Sequence, residues 1–118
     1  MTPEKTITLM GKEVGFKYNL ATEIAFENIA NKKLAEADLE DTAEFARLAF
    51  ACIISYKNAH KLEDVPVTLD DIVNEFSAKD IILTVATVAY LRKSWYEVST
   101  VDQEKIDDEE EEGDTPKN

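Results

Sequence analysis

Glycine and proline each occur three times in these 118 residues, and cysteine and histidine once each. Glycines at 11, 15 and 113 cannot build a Gly-rich loop around a phosphate. A single cysteine excludes an internal disulfide framework, and Cys52 in the apolar run FACII reads as a small buried hydrophobe. Without a basic partner nearby in sequence it is also a poorly activated nucleophile. His60 falls at a predicted helix end, where contact with terminal carbonyls and the helix dipole accounts for it better than proton transfer does. No apolar run reaches the roughly 18 residues of a membrane span, and the longest, 81–91, is interrupted by Thr84 and Thr87. The opening MTPEKTITLM lacks the basic region and apolar stretch of a secretory signal, so a soluble cytoplasmic protein is expected. No nucleophile–base pair or metal cluster stands at a recognisable spacing. The expectation is a non-enzymatic chain with no cofactor.

Acidic charge and apolar side chains are abundant. The formal net charge is −12, and 44% of residues are apolar, a balance that fits one small domain. Residues 102–118 hold nine acids against Lys105 and Lys117, which is −7 of the −12. The run Asp107 to Glu112 repels itself, so 102–118 is expected as a disordered acidic tail, either a solubilising extension or an electrostatic lure for a basic partner. Such a chain repels nucleic-acid phosphates and anionic membrane surfaces, and basic protein partners suit it better.

The expected fold is α+β and mostly α: a short hairpin, about four helices in a compact bundle, and the tail. Ile7 and Leu9, then Val14 and Phe16, alternate around Gly11-Lys12-Glu13, which predicts a hairpin over about 5–17 with one apolar face against helices or another chain. Asn19 is the expected N-cap of a helix over about 20–30, with Leu20, Ile24, Ala25 and Ile29 as its stripe and Asn31 as its breaker. Phe26 lies off that stripe, as a second core contact or as an exposed anchor for a partner.

Asp41 with Glu44, Thr68 with Asp71 and Ser77 with Asp80 resemble capping boxes, which accounts for Asp70, Asp71 and Asp80 without a metal. They open helices over about 42–60, 69–76 and 78–98. The first and last are apolar nearly all round, so they are expected to form the core pair, with some surface left for another subunit or a partner. The short helix is expected to dock through Leu69, Ile72, Val73 and Phe76. Tyr90, Trp95 and Tyr96 form either a binding patch or a capping layer at the end of the last helix.

The run ITLMGKEVGFKYNLATEIAFENIANKKL, followed by AEADLEDTAEFARLAFACIISY, resembles the tail assembly chaperones of long-tailed bacteriophages and related prophages. The shared pattern is strand, Gly-Lys-Glu, strand, then a helix bearing Phe26-Glu27, a Lys33-Leu34 segment, an acidic stretch, a helix rich in small and apolar residues, and Thr68 to Asp71. Asn31 stands where many relatives have Gly, a replacement its tolerance of the left-handed conformation allows. The resemblance implies a protein made in the host bacterium that coats the tape measure protein before the tail tube polymerises. It also implies recruitment of tail tube subunits, in some members through a longer frameshifted form, and absence from the mature virion. Two readings stand beside it: an acidic inhibitor or nucleic-acid mimic, and a small structural subunit that self-associates through the hairpin edge or the last helix.

Overall fold

The computed structural model describes the backbone of residues 2–112 and the side chains of residues 2–97. Strands β1 (Glu4–Leu9) and β2 (Lys12–Lys17) pair antiparallel with Ile7 opposite Val14 and Lys5 opposite Phe16. Helices α1 (Leu20–Ala30), α2 (Thr42–Ala59), α3 (Leu69–Asn74) and α4 (Ala78–Glu112) follow, with a 3-10 turn at Leu34–Glu36. The fold is α+β and mostly α, as the sequence pattern predicts.

The hairpin turn is tighter than expected. Met10 and Gly11 alone form it, both with positive φ (54° and 73°), while Lys12 and Glu13 already belong to β2. Two left-handed residues match the twist of the paired strands. Leu9, Val14 and Phe16 are fully buried and Ile7 partly so, which places the alternating face in the core. Each such side chain contributes roughly 1.5–3 kcal/mol when withdrawn from water. On this face Lys5 reaches α4, its ammonium 5.7 Å from the Tyr90 ring centre. The opposite face is covered at Gly15, where Tyr56 of α2 lies so close that any Cβ would collide with its ring, while Glu4, Thr6, Thr8 and Glu13 stay exposed.

Asn19 caps α1 reciprocally with Thr22, each backbone N–H donating to the other's side-chain oxygen at 3.1 Å. Asn31 ends the helix in the left-handed conformation. The inward stripe matches the expected one in part: Ala25 and Ile29 pack against the core, and Thr22 and Phe26 are fully buried, whereas Leu20 and Ile24 are 61% and 51% exposed. Thr22 sits two residues from both, about 200° round the helix. Its hydroxyl donates to the Lys17 carbonyl at 2.7 Å, so a polar side chain is satisfied inside.

Thr68 with Asp71 and Ser77 with Asp80 form reciprocal boxes as predicted. Asp41 caps α2 through the Ala43 and Glu44 N–H groups, but Glu44 does not return the bond. Its nearly buried carboxylate pairs instead with Lys32 at 2.5 Å and Arg47 at 3.0 Å. The Lys32 hydrogen bond is the main cause that holds Glu44 below the usual carboxylate range.

The expected α2–α4 core pair is replaced by a different arrangement. α2 packs chiefly on α1 and β2, and α4 touches it only lightly while also crossing the hairpin. α4 also runs past the expected end near 98, as far as Glu112, into the segment expected as a tail. No Gly or Pro interrupts 78–112, and Gly113 follows. The rest of the expected tail, 113–118, lies outside the described residues. Among the described residues, no helix is long and apolar enough to cross a membrane.

Candidate functional site

The N-terminal turns of α2 and α4, with α3 and the loop before α2, enclose an apolar groove of about 480 Å³. Leu39 and Phe45 line one wall, Ile72 and Val73 another, and Ile81 and Val85 the third, with Glu40 at the edge. Ile72 is buried and anchors α3, but Val73, predicted to dock beside it, is 63% exposed. Val85 is 44% exposed. A six-residue helix cannot turn both faces inward, so the side chain next to the anchor is left beside open space. At the floor, buried Thr84 returns its hydroxyl to the Asp80 carbonyl at 2.8 Å, which removes a competing polar group from the groove.

Of the residues predicted to meet a partner, Phe26 does not reach the surface. It is fully buried, so the core alternative holds and the exposed-anchor alternative is overturned. Its neighbour Glu27 accepts the Leu34 N–H at 3.0 Å, a bond that closes the loop after α1.

The aromatic residues of α4 are brought near one another but not into a single patch. Trp95 is partly buried against the core, and Tyr90 is 59% exposed beside Lys5. Tyr96 is engaged in a latch between α4 and α1. Tyr18, fully buried, donates to Glu23 at 2.8 Å and accepts from the Arg92 guanidinium at 3.3 Å. The Tyr96 hydroxyl donates to the same Glu23 carboxylate, and Arg92 lies 5.3 Å from the Tyr96 ring centre. Burial, then the bond to Glu23, pushes the Tyr18 hydroxyl well above its ordinary range. Sequence reasoning missed this latch because Tyr18 and Arg92 are 74 positions apart.

The residues with reactive side chains are occupied structurally. Cys52 is fully buried, and desolvation pushes its thiol up. His60, expected to serve the helix carbonyls, contributes only its backbone N–H there. Its ring stacks on Tyr56 with centroids 4.1 Å apart, and Nε2 lies 3.0 Å from Glu4. That Glu4 also binds Lys17 at 2.9 Å, the leading cause of its depressed pKa. Next to it, Thr6, Glu13, Tyr56 and Lys57 line a smaller hollow of about 240 Å³. Among the described residues, no three His, Cys, Asp or Glu side chains converge as a metal site would require. Comparison of the chain with protein-family models, with curated proteins and with solved structures finds no match.

Proposed function

We propose that this chain is a tail assembly chaperone of a long-tailed phage or prophage. It acts without catalysis in the cytoplasm of the host bacterium, holds the tape measure protein in a soluble form, helps recruit tail tube subunits, and is absent from the mature virion. The observation that carries the reading is the open apolar groove, set in a chain whose charge is strongly negative. Apolar client segments left in water aggregate. A groove that covers them, on a carrier whose net charge repels its own copies, keeps the complex dispersed. The sequence resemblance supports the reading independently, and its Phe-Glu and Lys-Leu segments are joined by the Glu27–Leu34 hydrogen bond.

Co-expression with the tape measure protein of the same phage or prophage tests it. The expected outcome is a higher soluble yield of the tape measure protein and a complex that copurifies. The absence of both a gain in yield and a complex would overturn the proposal. The second reading, a self-assembling structural subunit, draws on Ile82, which is 67% exposed on α4 outside the groove. Sedimentation decides it: a monomer at all concentrations counts against it.

A further inference from the structure

We infer that the groove takes one amphipathic α-helix of net positive charge. The helix lays aliphatic side chains one turn apart between Val73 and Val85 and sets Lys or Arg against an acidic rim. The identity of the protein that carries this helix rests on the chaperone reading, whereas its chemistry rests on the groove.

Secondary structure decides between an extended and a helical occupant. The groove is walled by α2, α3, α4 and the loop before α2, and β1 and β2 contribute nothing to it. An extended segment laid there would find no strand edge to pair with, and its covered N–H and C=O groups would go unsatisfied. A helix satisfies its own backbone and presents only side chains, at spacings of three and four that suit a groove of this kind.

Charge decides the sign. Glu40 lines the groove, and Asp38 flanks it on the same loop. Asp70 precedes Val73 by three residues, so it lies on the same side of α3. Asp38 and Asp70 accept from uncharged donors, the Glu40 N–H at 3.0 Å and the Asn74 amide at 2.8 Å, and neither is in an ion pair among the described residues. Asp41 and Asp80 add further charge at the two helix starts, where the helix dipoles partly offset it. On the same segments stand Lys79 and Arg47, and Arg47 is already paired with Glu44. An acidic helix would meet repulsion along this rim, and a basic one attraction.

The test uses the full chain and two designed peptides of about 18 residues, roughly 27 Å of helix. One carries Leu on one face and Lys on the other, and its counterpart carries Leu and Glu. Calorimetric titration should show binding of the Leu/Lys peptide that weakens with added salt, and none of the Leu/Glu peptide. Val73→Gln and Val85→Gln should each weaken it by about tenfold. Both side chains are exposed in the free protein, so circular dichroism should show an intact fold. Ile82→Gln, a matched change outside the groove, should leave the affinity unchanged. The inference is overturned by absent binding, by equal binding of the Leu/Glu peptide, or by indifference to Val73→Gln and Val85→Gln. Self-association that Val85→Gln abolishes would also overturn it, by making a second copy the occupant. If the tape measure protein copurifies equally with the Val73→Gln/Val85→Gln double variant, the groove assignment fails while the chaperone reading stands. If no such complex forms but the Leu/Lys peptide shows the expected variant pattern, the reverse holds.

Discussion

At Gly15 the absence of a side chain lets α2 approach the second face of the hairpin, because the Tyr56 ring fills the space a Cβ would need. Gly15→Ala should therefore destabilise the fold by about 1–3 kcal/mol, the range for an overpacked site. Urea denaturation checks this, and the cost should shrink in a Tyr56→Ala background, since the clash is with that ring. Tyr18 makes a prediction in pH. The folded chain keeps its proton above pH ~10, where the unfolded chain gives it up, so folding stability should fall as pH rises beyond that point. Cys52 adds a similar slope from about pH 8.5, for the same reason. Tyr18→Phe should cost about 1–2 kcal/mol near neutral pH through the lost bonds to Glu23 and Arg92. It should also remove the part of the alkaline slope that begins near pH 10, as read from denaturation curves across pH. Neither residue was legible as a determinant in sequence. Gly15 looks like any residue within a strand, and the partners of Tyr18 come from a helix far along the chain.

Among the elements, caps were the most legible feature, because capping depends on residues three apart and on little else. Asn19, Asn31, Thr68 with Asp71 and Ser77 with Asp80 all act where the local pattern puts them. Asn19 does more than cap: Ser55 of α2 donates its buried hydroxyl to the same Oδ1 at 3.1 Å. Asn19→Ala should therefore destabilise by about 2 kcal/mol, against about 1 kcal/mol for Thr68→Ala, which removes a cap alone. Paired urea titrations of the two variants test that order. The faces of the helices were less legible. α1 carries apolar residues on both sides, and only the packing of α2 selects Thr22 and Phe26 over Leu20 and Ile24. In α4, charge composition suggested an end near 98, whereas the backbone has no breaker before Gly113.

For the whole molecule, the sequence carried a sign of the candidate site without its location. Two helices apolar nearly all round cannot both be covered in so small a chain, and the uncovered part lies on α4, at Ile81, Ile82 and Val85, of which Ile81 and Val85 line the groove beside Val73 of α3. The light contact between α2 and α4 follows from α2 choosing α1 and β2 as its main partners, a long-range outcome that periodicity does not encode. Charge also divides between body and C-terminal segment. Deleting 102–118 removes −7 of the net −12 yet leaves every groove residue in place. The truncated chain should keep its stability within about 0.5 kcal/mol and retain client binding. An inhibitor or nucleic-acid mimic working through the tail would lose its effect on the same deletion. The central claim is that this chain keeps a tape measure protein from aggregating. The most direct measurement is light scattering as the tape measure protein of the same phage or prophage is diluted from denaturant into buffer containing the full chain. The account predicts that scattering is suppressed near stoichiometric chain and returns with the Val73→Gln/Val85→Gln variant. Unchanged scattering, or equal suppression by an unrelated protein of the same net charge, would contradict it.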